Sequence, residues 1–211
     1  NVMESLWNKT SNRPNFDTLK SDIKTDVLII GGGIAGILCG YMLKKAGIEC
    51  VIVEADKICS GVTKNTTAKI TFQHGLMYDK MISRFGEEFA KLYLKSQQES
   101  LDKYRELCSQ FDCEYKESDA YVYSLNDRRK IEKEVAAYNK LGNNATFEEE
   151  LPLPFSVAGA VRVKNQAQFH PLKFIYSIAK DLTIYENTRV TELIPGGAVS
   201  EHGNIYADRI I

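Results

Sequence analysis

The sequence predicts an α/β fold: a parallel sheet that opens on a β-α-β unit, an interval of mixed structure, and a return to strands. Three observations predict it. Val27–Ile30 and Cys50–Val53 are short runs of branched apolar residues without polar alternation, as central parallel strands are. Between them Ile34–Ala46 reads as a helix, with Gly47 placed to cap its C-terminus. At the far end Thr183–Tyr185, Thr188–Leu193, Ala198–Ser200 and Asn204–Ile211 read as strands. Pro195-Gly196-Gly197 and His202-Gly203-Asn204 supply their turns.

The remaining elements follow in order. Residues 1–25 are polar, contain Pro14, and read as an irregular N-terminal arm. The right-handed crossover rule sets the first two strands side by side. Ser60–Thr71 is a loop of small and hydroxyl residues. Glu87–Phe111 reads as a long helix with Phe89, Leu92, Leu101, Tyr104, Cys108 and Phe111 near one face. Tyr121–Ser124 reads as a strand, and Asp127–Leu141 as a helix with Ile131, Val135, Tyr138 and Leu141 on one stripe and Gly142 as its stop. Leu151–Phe155 is extended by its prolines. Val157–Val163 reads as a strand, and Pro171–Ala179 as a helix with proline in its first turn. The expected organisation is the arm (1–25), a Rossmann-type domain from residues 26–75 and 181–211 with a β-hairpin crossover, and an inserted α+β portion (76–180).

Composition excludes several classes. The 211 residues carry a net charge of −1, with 44% hydrophobic and 26% charged residues, the balance of an ordinary globular protein with a sizeable core. No basic clustering points to nucleic acid. The group Arg128-Arg129-Lys130, followed by Glu132 and Glu134, reads as a solvated helix face, and Glu148–Glu150 as a solvated loop. Five cysteines, an odd number without CxxC spacing, argue for reduced thiols in a cytoplasmic protein rather than for a disulfide framework or a metal site. The N-terminal stretch has no signal-peptide pattern, and Val27–Ile30 is far too short to span a bilayer.

The chemistry lies at the first turn. Gly31-x-Gly33-x-x-Gly36 follows a strand and opens a helix. Gly31 permits the tight turn, Gly33 removes a side chain where a pyrophosphate meets the backbone, and Gly36 lets the helix pack on the sheet. The helix N-terminus then presents N–H groups and a positive dipole end to phosphate. Glu54 closes the second strand close to the ~20-residue spacing of the ribose-binding acid. A dinucleotide therefore explains both the bare backbone and the carboxylate. Gly40 reads as close helix packing only.

FAD and NAD both use this fingerprint. A nicotinamide dehydrogenase would continue with another helix and a third parallel strand, whereas this chain enters the Ser60–Thr71 loop. Here it resembles the FAD-dependent oxidoreductases of the D-amino-acid oxidase and glycine oxidase type. The segments that carry the resemblance are "DVLIIGGGIAG" (26–36), "VIVEADKICSGVTKNTTAKIT" (51–71), "GAVRVKNQAQFHPLKFIYSIAK" (159–180) and "IYENTRVTELI" (184–194). The resemblance implies that Gly31, Gly33, Ile34, Ala35 and Gly36 line the FAD pyrophosphate. It puts Glu54, with Ala55 beside it, at the adenosine ribose. Gly61, Thr63, Thr67 and Ala68 would run towards the flavin, and the backbone of Val190 would read the adenine. Lys64, Asn65 and Thr66 depart from the family's usual Gly-Arg-Asn. The family's chain continues beyond the equivalent of Ile211, so this chain is expected to be the N-terminal portion of a longer enzyme, with an incomplete substrate domain and no activity in isolation. Some relatives with a stretch like "TKNTTAKITFQHG" carry a C-terminal Rieske-type domain.

Other residues have plainer readings. His74 is a candidate catalytic acid or base, with a solvated loop residue as the alternative. His170 reads as a helix cap, Cys59 as a small buried hydrophobe, and Lys69 as either a substrate-carboxylate contact or a solvated lysine. One of Tyr121 and Tyr123 could line a substrate pocket, with a half-buried sheet tyrosine as the alternative. The expected activity is oxidation of the C–N bond of a small amine or amino acid by hydride transfer to FAD. The alternatives are an NAD(P)-dependent dehydrogenase and a dinucleotide-binding module without turnover. An open sheet edge at Ala207–Ile211 is expected to favour self-association.

Overall fold

The structure, a computed structural model, describes residues 5–211. In chain order the elements are α1 (Leu6–Lys9), β1 (Ile23–Ile30), α2 (Ile34–Lys45), β2 (Cys50–Val53), a 3-10 helix (Val62–Asn65), β3 (Lys69–Ile70), α3 (Tyr78–Phe85), α4 (Glu87–Cys108), β4 (Lys116–Ser124), α5 (Arg128–Lys140), β5 (Thr146–Glu148), β6 (Gly159–Gln168), α6 (Pro171–Ala179), β7 (Ile184–Tyr185), β8 (Val190–Ile194), β9 (Gly197–Ser200) and β10 (Gly203–Ile210). They form two compact units: residues up to Thr67 together with His170–Ile211, and Ala68–Phe169.

The first unit is built on a six-stranded sheet of order β7-β2-β1-β10-β9-β8. β7, β2, β1 and β10 are parallel neighbours, and β8-β9-β10 is an antiparallel meander. This is the expected Rossmann-type sheet with a hairpin crossover. β1 starts earlier than expected because Ile23–Asp26 alternates in burial and already pairs with β10 from Ile23. Leu28, Val51, Val53, Ala198, Ile205 and Ala207 pack into one cluster, joined by Leu19 from the arm. The arm is therefore not loose: the Trp7 indole N–H donates to Thr66 O at 2.9 Å, and Thr10 Oγ1 lies 2.8 Å from His170 Nε2. His170 is the expected cap of α6, its Nδ1 accepting the Lys173 N–H at 3.2 Å. Because a backbone N–H can only donate, the other ring nitrogen carries the proton that meets Thr10.

β10 lies between β1 and β9, so it is an edge only in part. Its ladder with β9 ends at Tyr206, leaving residues 207–211 without a strand on that side among the described residues.

In the second unit β6 is central. β4 pairs along one edge, and β3 and β5 share the other. Helices α3, α4 and α5 pack together. The division between units moves two segments relative to expectation. Residues 68–75 join the second unit because Lys69–Ile70 pairs with Ala167–Gln168. Helix α6 joins the first, where it packs against α2 and is buried on nearly every side.

Three other expectations are corrected. Helix α4 ends at Cys108, and its buried residues are Ala90, Leu94, Leu101, Leu107 and Cys108; Phe89 (49% exposed) and Leu92 (68% exposed) are not among them. Glu134 is not solvated. It is 1% exposed, and its carboxylate accepts the N–H groups of Met77, Tyr78 and Asp79 at 2.8–3.1 Å, capping α3. Arg128 and Glu132 do form the expected exposed pair, at 2.8 Å. Glu148 belongs to β5 rather than to a loop and lies 3.5 Å from Arg162.

Candidate functional site

The turn between β1 and α2 is built from both sides. Gly31 adopts φ +117°, a region L-residues rarely enter, and its N–H donates to Val53 O at 2.8 Å. The Gly32 N–H donates to Glu54 Oε2 at 2.8 Å, and Gly32 O accepts the Cys59 N–H at 3.0 Å. Gly33 caps α2, accepting from Ile37 N–H at 3.0 Å. The Ile34 N–H donates to Thr63 Oγ1 at 3.3 Å. Among the described residues the N–H groups of Gly33, Ala35 and Gly36 have no acceptor. The first turn of α2 itself contains no acidic residue; the carboxylate at its positive end is that of Glu54, on the Gly32 N–H.

The glycines separate by what demands them. A Cβ on Gly36 would lie 2.0 Å from Gly31 O, so helix–strand packing excludes a side chain there. A Cβ on Gly40 would lie 2.8 Å from Ile52 Cδ1, the packing role expected of it. A Cβ on Gly33 would meet nothing closer than Thr63 Oγ1 at 3.8 Å. The protein itself leaves that space open, beside N–H groups that lack acceptors. This is a cradle for an anion, and the pyrophosphate of FAD fits it.

Glu54 leaves β2 at the mouth of the same turn. Its Oε1 accepts the Asp56 N–H at 3.0 Å, so each carboxylate oxygen has one backbone partner and a lone pair to spare. Ala55 is half-buried beside it. Glu54 O accepts the Thr188 N–H at 2.8 Å, which ties the approach to β8, and hence Val190, to the end of β2. Thr63 is buried in the 3-10 helix. Gly61 caps that helix, and a Cβ there would have open space for 4 Å around it. Thr67 is exposed at the end of the first unit's segment. Ala68 belongs to the second unit, buried with φ +60°, its carbonyl accepting the Phe169 N–H at 3.2 Å.

His74 is exposed in the second unit, with Nε2 3.3 Å from Gln97 Oε1, a surface contact. Cys59 is buried, and desolvation pushes its thiol up to about 12, against a lowering contact from Thr63. Sequence reasoning missed Glu186. It is fully buried, its Oε1 accepts the Ile58 N–H at 2.8 Å, and Lys57 Nζ lies 3.1 Å from Oε2. It anchors the segment after Glu54; the signal available was a lone acid between two short strands. Among the described residues no cluster of His, Cys, Asp and Glu could hold a metal ion, and no helix is long and apolar enough to cross a membrane.

A bare glycine under free helix N–H groups, with a carboxylate closing the adjacent strand, defines a dinucleotide-binding protein. Residues 26–211 match the family described as FAD dependent oxidoreductase (DAO), and the chain belongs to it. FAD is thus the cofactor, and the NAD(P) alternative is set aside. The chain is 39% identical over 202 residues to the "Putative Rieske 2Fe-2S iron-sulfur protein YhfW" of Bacillus subtilis (strain 168), covering 92% of this chain and 40% of that one. It is 25% identical over 216 residues to gamma-glutamylputrescine oxidoreductase of Escherichia coli (strain K12), covering 93% and 50%. The chain thus spans half or less of the length of these two relatives. Among solved structures, glycine oxidase from Geobacillus kaustophilus superposes with a TM-score of 0.69 at 20% identity, over 89% of this chain and 54% of that one. L-proline dehydrogenase from P. horikoshii gives 0.69 at 19% identity, over 89% and 52%. These two show the shared fold.

Proposed function

We propose that the protein oxidises the C–N bond of a small amine or amino acid. In this reading Gly31, Gly33, Ile34, Ala35 and Gly36 line the FAD pyrophosphate, and the N–H groups of Gly33, Ala35 and Gly36 donate to it. Glu54, flanked by Ala55, holds the adenosine ribose, and the backbone of Val190 takes the adenine. Gly61, Thr63, Thr67 and Ala68 run towards the flavin ring. The observation that carries this reading is the open space at Gly33 beside N–H groups without a protein acceptor, which a bound diphosphate would fill.

FAD, when bound, supplies the acceptor for the hydride that leaves the carbon bearing nitrogen. The chain's own contribution is binding and orientation. The α2 N-terminus offsets the diphosphate charge, and Thr63 Oγ1, already holding the Ile34 N–H, fixes the loop that follows the ribose acid. The amine part of the reading draws support from the name of the Escherichia coli relative, gamma-glutamylputrescine oxidoreductase.

The test is anaerobic mixing of the full-length, FAD-loaded protein with a panel of amino acids, N-methylated glycines and polyamines, followed by visible flavin absorbance. Bleaching by a member of the panel is expected. A flavin that stays oxidised with every member would contradict the reading.

A further inference from the structure

The N-terminal arm reaches the loop that follows the ribose acid. Between Asn65, where the 3-10 helix ends, and Lys69, where β3 starts, the chain belongs to no regular element. No ladder therefore sets the direction of its peptide groups. The arm does so instead. The Trp7 indole N–H donates to Thr66 O at 2.9 Å, and Ser5 Oγ donates to Lys64 O. Trp7 is itself fixed. Its ring meets the ring of the buried His170 edge-on, with centroids 5.0 Å apart. Its backbone N–H donates to Ser5 Oγ at 3.3 Å, and its carbonyl accepts from Ser11 Oγ at 2.6 Å. All of these residues lie in the first unit.

The bond to Thr66 fixes more than a carbonyl. A peptide group is planar, and in the trans form its N–H points opposite to its C=O. No peptide bond among the described residues is cis. The Thr66 carbonyl shares its plane with the Thr67 N–H. Holding that carbonyl on the arm therefore turns the Thr67 N–H to the far side of the loop. Thr67 is exposed, and among the described residues its N–H has no acceptor. An indole 59 residues earlier in the chain thus aims a donor outward from the segment between the ribose acid and β3.

We propose that Trp7 is a positioning residue for the cofactor: through the Thr66–Thr67 peptide it holds the Thr67 N–H as a donor to the flavin half of FAD. The ligand rests on the reading above, which runs Thr67 along FAD; the orientation of the peptide does not.

The test compares FAD with ADP-ribose, which keeps the adenosine and the diphosphate but lacks the flavin. Dissociation constants are measured by titration into the full-length apoprotein at pH 8, where an imidazole is neutral. Trp7→Phe removes the donor and keeps a six-membered ring. Trp7→His gives up more of the ring, but its imidazole overlays the five-membered ring of the indole and places Nε2 where the indole nitrogen was. In Trp7→Phe, FAD should bind about fivefold more weakly, the size of one neutral hydrogen bond, with ADP-ribose unchanged. Trp7→His should restore the affinity for FAD. A loss shared equally by FAD and ADP-ribose would mark a merely structural role and overturn the proposal, as would a folded Trp7→His protein no tighter than Trp7→Phe. A measurement on the wild type covers the case in which the variants do not fold. With threonine labelled for NMR, the Thr67 amide should exchange slowly with FAD bound and quickly with ADP-ribose bound; equal exchange in the two complexes would overturn the proposal. A flavin that no amine reduces, alongside a loss confined to FAD, would sink the oxidation reading alone.

Discussion

The carboxylate of Glu54 holds the backbone of Gly32: Oε2 accepts the Gly32 N–H at 2.8 Å, while Oε1 accepts the Asp56 N–H at 3.0 Å. The acid that would bind ribose therefore also shapes the phosphate turn. Glu54→Gln replaces one acceptor oxygen with a donor, so only one of the two N–H groups keeps its partner. Hydrogen bonds to a charged group are worth about 1.5–3 kcal/mol, so FAD affinity should weaken about tenfold or more. Titration of FAD into the apoprotein measures this, and an unchanged dissociation constant would remove Glu54 from the site.

Gly36 is fixed by packing rather than by ligand. A Cβ there lies 2.0 Å from Gly31 O, so Gly36→Ala must push α2 off the strand end. Overpacking of this kind costs about 1–3 kcal/mol. The urea midpoint should fall accordingly, whereas Gly61→Ala, whose Cβ meets nothing within 4 Å, should leave it within error.

Glu134 should matter as much as a core residue. Its carboxylate caps α3, through the N–H groups of Met77, Tyr78 and Asp79. Glu134→Ala leaves those donors without their acceptor, and a loss of about 1.5–3 kcal/mol is expected in urea unfolding. A change within error would mean that water caps the helix equally well.

The Cys59 thiol, raised to about 12 by burial, should resist alkylation at pH 8, where the native protein holds only about one part in ten thousand as thiolate. The unfolded thiol titrates near 8.5. The native state therefore holds this proton more tightly, and its stabilising contribution is complete below that pH and is lost as pH rises towards 12. Peptide mapping after iodoacetamide treatment, with and without urea, should show Cys59 modified only in urea.

The β-α-β unit was legible because its signals are local: a branched strand, a glycine turn, a helix and a terminal acid lie within one short stretch. Glu54 and Gly33 could be singled out for the same reason. What stayed hidden depends on partners distant in sequence. Helix α3 has no side-chain cap of its own; its cap, Glu134, comes from α5. Glu186 looks like any surface acid until Ile58 folds onto it. Lys69, Thr71 and Gln73 lie close in sequence, but they line a common cavity only when β6 and β4 lie beside them. The N-terminal arm read as irregular because four-residue α1 is too short to leave a periodic trace.

In the proposed function the space at Gly33 belongs to FAD. Flavin content and unfolding midpoint of the purified full-length protein and its Gly33→Val variant test it together. Chain neighbours aside, a Cβ at Gly33 meets nothing closer than Thr63 Oγ1 at 3.8 Å, and the backbone there has φ −79°, a region valine adopts. A Gly-to-Val change at a helix cap should cost no more than about 1 kcal/mol. The expected variant unfolds near the wild-type midpoint and carries no FAD. A folded Gly33→Val protein with stoichiometric flavin would contradict it.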